Sequence, residues 1–296
     1  MKTGYLIVNG FLQSEKFGAL YRELSQKGEA RGLRLELVAN TALMADAATG
    51  ALINKAPAPG ARPFAIFWDK DVRLARLLEG MGMRLFNSAR AIELCDDKAL
   101  THIALSGKLP QPKTVPVPLT FPRIGYTQTD FLKEIGDYLG YPFVIKECFG
   151  SFGAQVYLAR DFEEAEALLQ KTAGNPILAQ EYIESSAGRD VRVYVAGGRA
   201  VAAMLRQNTR GDFRANVAQG AAVSAHSLSA GEEQLAVRAA QLLGCDFAGV
   251  DLLFGANGEP LVCEVNSNAH FAGLEAATGA DVAGAILTHA ARCLAP

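Results

Sequence analysis

The stretch GVDLLFGANGEPLVCEVNSN, residues 249–268, constrains the fold more than any other part of the chain. Two apolar runs flank Asn257-Gly258, the strongest short hairpin signal, because both central residues of a type I′ turn need positive φ. With those two residues as the turn, Ala256 faces Glu259, Gly255 faces Pro260 and Asp251 faces Glu264. Pro260 then falls in a non-hydrogen-bonded pair, where its missing N–H does no harm. Opposed residues share a sheet face, and Asn266 joins them because strand side chains repeat every two residues. Like charges directly opposite destabilise a hairpin unless a cation sits between them or one carboxylate is protonated. Two carboxylates and a carboxamide suit Mg²⁺, which takes one or two carboxylates and completes its octahedron with water and phosphate oxygens. A lone Asp/Glu pair reads more simply as a solvated polar face. The apolar setting of Val250, Leu252, Leu253, Val262 and Val265, with Asn266 added, favours the metal.

The chain has 296 residues, enough for one large domain or two or three smaller ones. A net charge of −2 gives no field that would draw it to nucleic acid or a membrane surface. It has no apolar run of the roughly 18 residues a membrane helix needs. The opening MKTGYLIVNG reads as a first strand rather than a signal peptide. Five scattered cysteines, with no CxxC pair, indicate reduced thiols and a cytoplasmic location. The four histidines show no metal-ligand spacing.

The first ninety residues alternate strand and helix. YLIV precedes Ser14, a helix N-cap, followed by Phe17, Leu20, Tyr21 and Leu24 on one helical face. LRLELV and FAIFW supply further strands of a small parallel α/β domain, residues 1–90. LPQPKTVPVPLTFP, residues 109–122, reads as an extended linker. Beyond it the pattern becomes α+β. PFVIKE and QVYLA flank the glycine loop CFGSFGA, and PILAQEYI adds a strand. DVRVYVAGGRAVAAMLRQ is a hairpin turning at Gly197-Gly198. Asp161-x-x-Glu164 and Ser229-x-x-Glu232 are capping boxes, each opening a helix.

No Walker A sequence and no GxGxxG after a strand is present, so a phosphate would be held by other means. Lys146 ends a strand just before Gly150-Ser151-Phe152-Gly153, where glycines allow backbone N–H groups to approach phosphate oxygens. By itself such a loop is more often a simple turn, and Lys98 by itself is more often a surface lysine. RQNTRGDFRANVAQGA concentrates Arg206, Arg210, Arg214 and Asn216, donors suited to phosphate and carboxylate. Together with the metal hairpin these groups describe one task, holding a nucleoside triphosphate with Mg²⁺ during phosphoryl transfer.

The order Lys98, PFVIKECFGSFG, AQEYIESSAGRDVRVYV, MLRQNTRGDFRANVAQGA, GVDLLF and VCEVNSN resembles the ATP-grasp ligases, most closely the RimK-like and LysX-like branch. The resemblance runs from about residue 90 to the end. It implies an α+β ATP-grasp fold of two lobes, residues 91–185 and 186–296, behind the small parallel α/β domain. It implies an ADP-forming carboxylate–amine ligase that makes an amide or peptide bond through an acyl phosphate. The acid would be an amino acid and the amine that of a small molecule, peptide or protein. Lys98, Lys146 and the loop Gly150, Ser151, Phe152 and Gly153 would contact ATP phosphates. Gln180, Glu181, Tyr182 and Ile183 would hold adenine, largely through backbone groups. Asp190 would contact the nucleotide, and Arg214 and Asn216 would reach its phosphates. Asp251, Glu264 and Asn266 would bind Mg²⁺, with Mn²⁺ as the alternative. Arg206 would stabilise the acyl phosphate, with Lys146 beside it. The resemblance also allows a homo-oligomer, dimer or tetramer. Two departures stand out: Gln155 where many relatives have a further loop glycine, and Asn268-Ala269-His270 where the RimK-like pattern continues Pro-Gly. A nucleotide-binding regulator without turnover is the alternative function.

Overall fold

In the computed structural model, residues 1–53, 64–151, 153–216 and 220–295 are described. Phe152 of the glycine loop lies outside them. In chain order the strands and helices are β1 (Lys2–Val8), α1 (Glu15–Glu29), β2 (Leu33–Ala39), β3 (Phe64–Trp68), α2 (Val72–Gly80), β4 (Arg84–Phe86), α3 (Ala89–Asp96), α4 (Lys98–Leu105) and β5 (Thr114–Pro116). There follow α5 (Phe131–Leu139), β6 (Phe143–Glu147), β7 (Val156–Ala159), α6 (Phe162–Lys171), β8 (Ile177–Glu181), β9 (Arg189–Ala196) and β10 (Arg199–Gln207). The chain closes with β11 (Ala222–Ala225), α7 (Ala230–Leu243), β12 (Phe247–Phe254), β13 (Pro260–Asn266), α8 (Ala272–Thr278) and α9 (Val282–Cys293).

The described residues form three sheets. The first is parallel, in the order β2-β1-β3-β4. The second, antiparallel in the order β5-β8-β6-β7, packs its apolar face on α5 and α6 through Phe143, Ile145, Leu132 and Leu169. β5 lies within the proline-rich stretch expected as a linker, and it pairs with β8 through Thr114, Val115 and Pro116. An edge strand tolerates the proline, because one side of its backbone needs no partner. The third sheet, antiparallel in the order β11-β10-β9-β12-β13, forms the wall of the site.

Alternation along β9 gives that sheet its two faces. Val191, Val193 and Val195 point into a core with α7, α3 and α4. Asp190, Arg192, Tyr194 and Ala196 take the other face. Its far half, with Met204 and Phe247, is apolar and shares a core with Leu6, Ile66 and Trp68 of the first sheet and with α1, α8 and α9. Aromatic contacts knit this seam: Trp68 stacks on Phe247 at 5.5 Å between ring centroids, and Phe271 meets Trp68 at 5.6 Å and Tyr194 at 5.9 Å, both edge-on. Such pairs add about 1 kcal/mol each beyond area burial. One continuous face is therefore half seam and half charged.

Ser229 and Glu232 form the full capping box at the start of α7, and Gly244 ends that helix in the left-handed region. At α6, Asp161 accepts from the Glu164 amide, but Glu164 turns back to the Arg160 N–H, so only half of the expected box forms. The 256–258 turn also differs from expectation. Gly258 N–H donates to the Gly255 carbonyl and Gly255 N–H to the Glu259 carbonyl, a three-residue loop with Gly258 at φ +82°. Phe254, not Gly255, therefore faces Pro260. A β-bulge between Asp251 and Leu252 on one strand and Cys263 on the other then removes the offset, and Asp251 still faces Glu264.

Candidate active site

The charged half of the β9 face is a ladder across neighbouring strands. Arg206 on β10 lies opposite Asp190 on β9, Arg192 on β9 lies opposite Asp251 on β12, and Asp251 lies opposite Glu264 on β13. Arg206 grips Asp190 through Nε to Oδ1 at 2.6 Å and Nη2 to Oδ2 at 2.5 Å. Arg192 grips Asp251 the same way, with both bonds at 2.7 Å. Arg206 Nη2 also reaches Asp251 Oδ2 at 2.9 Å. Forked, charge-assisted pairs of this kind compensate buried ions, and Arg206 and Asp251 are each 3% exposed. Burial alone would raise the Asp251 pKa, but the charges of Arg192 and Arg206 hold it below the usual carboxylate value. Burial likewise opposes the Arg206 charge, and Asp251 and Asp190 outweigh it.

The facing wall carries lysines on neutral partners. Lys146 on β6 donates from Nζ to Gln180 Oε1 at 2.6 Å and lies 3.5 Å from Cys263 Sγ. Lys98, the first residue of α4, donates to the carbonyls of Cys148 and Gly150 at 3.3 and 3.4 Å and lies 3.8 Å from Glu264 Oε1. Behind Lys146 stands a group that sequence reading missed, His102. Gln111 donates its amide N–H to the His102 carbonyl, which leaves Gln111 Oε1 to accept from His102 Nδ1 at 2.8 Å. His102 Nε2 therefore accepts from the Gln180 amide at 2.9 Å, and Thr114 Oγ1 accepts from the same amide at 2.8 Å. The outcome is that Gln180 presents its oxygen to Lys146. Burial is the main cause that lowers His102 to a pKa of about 4, which keeps it neutral in this role.

Between the walls lies a cleft of about 820 Å³ of empty space including its open mouth, a size usual for small-molecule sites. Of the residues expected from sequence, Lys98, Lys146, Gly150, Ser151, Gly153, Tyr182, Ile183, Asp190, Arg206, Arg214, Asn216, Asp251 and Glu264 line it. Gln180 sits behind the lining with its side chain turned to Lys146, and Glu181 accepts the Lys113 N–H at the edge of β5. Arg214 is held by Asp212 and donates to the Gly153 carbonyl at 2.8 Å, so the loop meets the segment between β10 and β11 across the mouth. Only glycine fits at 153: φ is +71°, and a Cβ there would lie 2.5 Å from Asn216 Oδ1. Asn266 stands outside the lining. Its Nδ2 is buried without a hydrogen-bond partner among the described residues, as are both ring nitrogens of His270. His270 packs edge-on against Phe17 of α1 at 4.8 Å. Arg192 is the other functional group that the sequence reading passed over.

Two antiparallel lobes with a nucleotide-sized cleft between them define the ATP-grasp fold. The structure superposes on D-alanine–D-alanine ligase from Bacillus anthracis complexed with ATP, with a TM-score of 0.72, 17% identity and 98% of both chains covered. It also superposes on a RimK domain ATP-grasp protein from Sphaerobacter thermophilus, with a TM-score of 0.71, 24% identity and coverage of 98% of this chain and 99% of that one. Residues 96–290 match the RimK-like ATP-grasp domain, and the chain belongs to that family. Mouse β-citrylglutamate synthase B is 39% identical over 229 residues, covering 76% of this chain and 57% of its own length. A probable α-L-glutamate ligase of a Marinomonas strain is 38% identical over 223 residues, covering 73% of this chain and 70% of its own. The chain thus spans little more than half the length of the mouse relative. No helix among the described residues is long and apolar enough to cross a membrane.

Proposed function

We propose that the protein is an ATP-dependent carboxylate–amine ligase that releases ADP and phosphate. The observation that carries this reading is the apposition of the two walls: two lysines held mainly by neutral oxygens and a glycine loop face a ladder containing three carboxylates. Lys146 and Lys98 hold charge that their partners do not cancel, which suits an anionic phosphate chain. Tyr182 and Ile183 form the floor between the lobes where a base would lie. The oxygen donors fit a hard divalent cation. Asp251 is kept ionised with its oxygens held by Arg192 and Arg206, and the Glu264 side chain is 27% exposed toward the cleft. Asp251, Glu264 and Asn266 would hold Mg²⁺ or Mn²⁺, whose chemistry is to neutralise charge on phosphate oxygens.

In this reading a carboxylate oxygen of the acid attacks the γ-phosphorus and ADP leaves. The amine nitrogen then attacks the acyl carbon, phosphate leaves with the former carboxylate oxygen, and the nitrogen sheds a proton. Arg206 stays fixed by Asp190 and Asp251 and supplies positive charge beside the transferring phosphoryl group. An amino acid is one substrate. Glutamate heads the panel, because the mouse and Marinomonas relatives are named for it. His270, packed on Phe17 of α1, would line the acceptor side. The test incubates the full chain with ATP, Mg²⁺ and a panel of acids and amines, one acid carrying ¹⁸O in its carboxylate. ADP formation that requires both substrates, with ¹⁸O appearing in phosphate, is expected. AMP and pyrophosphate as products, or phosphate without label, would overturn the assignment.

A further inference from the structure

We propose that Asp246, His289 and Cys293 form a binding site for a zinc-type divalent ion, remote from the cleft. His289 and Cys293 lie four residues apart on α9, so one helical face presents both. Asp246 comes from the residue just before β12. One donor atom from each of the three residues lies within 4.8 Å of the others. Cys293 Sγ is 3.6 Å from His289 Nε2, and Asp246 Oδ1 is 2.9 Å from the same nitrogen. Zinc bonds of about 2.3 Å to sulfur and about 2.0 Å to nitrogen set a tetrahedral edge of about 3.5 Å between those atoms. The sulfur–nitrogen edge is thus already at the right length. The carboxylate has to retreat by roughly half an ångström.

The same atoms could be taken for a thiol–imidazole–carboxylate relay. In such a relay the carboxylate holds one ring nitrogen and the nucleophile the other. Here the carboxylate takes Nε2, while the sulfur sits beside the ring at 3.6 Å from Nε2 and 3.8 Å from Nδ1, so neither nitrogen is aimed at the thiol. Three metal-type donors lie within 4.8 Å of one another, and the exposed Cys293 side chain has to turn toward Nε2 to complete the set.

The frame is rigid on two sides and open on the third. Asp246 is fixed by its backbone: its N–H donates to Asn87 Oδ1 at 2.6 Å, and its carbonyl accepts from Gly197 at 2.8 Å. The His289 ring is confined by Gly197, where a Cβ would come within 2.8 Å of Nδ1, and by the Phe86 ring at 6.1 Å between centroids. Arg84 donates to Asp246 Oδ1 at 2.8 Å, an outer partner that orients the carboxylate. Cys293 is exposed, which leaves the fourth position to water, as in three-ligand zinc sites. Binding deprotonates the Cys293 thiol and shifts the His289 ring proton to Nδ1. Two anionic ligands then balance the ion's two positive charges, with one proton released. A mixed sulfur, nitrogen and oxygen set selects zinc or cobalt over magnesium.

Co²⁺ titrated into the full-length, reduced protein tests the site. The expected result is a thiolate-to-cobalt charge-transfer band that Zn²⁺ abolishes, present in wild type and in Cys245→Ser, and lost in Cys293→Ser and His289→Gln. Co²⁺ bound to oxygen ligands in the cleft gives no such band, so failure of the ligase reading leaves this result untouched. Zn²⁺ should also slow alkylation of Cys293. The absence of a band in wild type, its persistence in Cys293→Ser, or unprotected alkylation would each overturn the proposal. Cys293 is exposed, so its serine variant keeps the fold and the test stays decisive.

Discussion

The two walls of the cleft handle charge in opposite ways. On the third sheet the two arginines of the ladder each have an anion: Arg206 with Asp190, Arg192 with Asp251, each forked and mostly buried. On the facing side, Lys146 of the second sheet rests on an amide oxygen and Lys98, at the start of α4, on two carbonyls, with Glu264 at the outer limit of a salt bridge. A closed ion network stabilises geometry and fixes where Arg206 can act. A lysine on neutral oxygens keeps its full charge for an incoming anion. The comparison suggests that one wall is a scaffold and the other a receptor, and it predicts different outcomes for mutations that remove one charge from each.

The largest expected effect is that of Asp251→Asn. Breaking a buried pair leaves Arg192 and Arg206 short of charge, and such losses cost about 3 to 5 kcal/mol. Urea unfolding should show that loss and ADP formation should cease together. Wild-type stability in the variant would dissolve the scaffold half of the contrast. Lys146→Met should act on the other half alone. Turnover should fall by roughly a hundred- to a thousandfold, the usual cost of a lost charged donor, with the unfolding midpoint nearly unmoved. A stability loss as large as that of Asp251→Asn would erase the distinction between the walls.

The smallest effect sharpens the receptor side through His102. Its pKa is lowered from 6.5 to about 4, chiefly by burial. Above pH 6.5 neither folded nor unfolded chain protonates it and its contribution to stability is complete. As the pH falls from 6.5 toward 4 the unfolded chain takes up a proton that the folded one refuses, so stability drops. The slope contributed is at most about 1.4 kcal/mol per pH unit. His102→Gln, whose side-chain oxygen can accept from Gln180, should flatten this slope and retain more turnover than His102→Leu. Urea midpoints measured across that range check the first point, and paired kcat and KM for ATP the second. Equal activity in the two variants would remove His102 from any role in aiming Gln180.

Much of this was legible in the chain. Apolar runs in YLIV and FAIFW and alternation in DVRVYV marked strands, and Ser229, Glu232 and Gly244 bounded α7. The pairing of Asp251 with Glu264 was also anticipated, though for a reason that was only half right. The turn is one residue longer than Asn-Gly implied, and the bulge at Cys263 restores the register. Bulges leave little trace in composition, because they answer to twist and packing. A second one, between Ala200 and Ala202, sets Arg206 opposite Asp190; a regular hairpin about Gly197-Gly198 would have put Leu205 there. Arg192 was visible as a charged residue on the Asp190 face. Its meeting with Asp251 depends on β9 lying beside β12, a neighbour some sixty residues away in sequence. The relay of His102, Gln111 and Gln180 joins three separate segments, and no local pattern announces it. The same holds for Asp246 and His289, which no ligand spacing connects.

The face of β9 that begins with Asp190 and Arg192 ends with Tyr194 and Ala196, and that continuity bears on what can be cut from this chain. Residues 96–290 have the outline of a transferable module. Excised, they would carry the ion ladder on one half of a surface and bare Tyr194, Met204, Phe247 and Phe271 on the other, where Trp68 and Ile66 now lie. An exposed apolar area of that kind invites association. The boundary drawn by sequence similarity crosses a single hydrophobic core, so the first ninety residues are part of the same folding unit as the chemistry they precede.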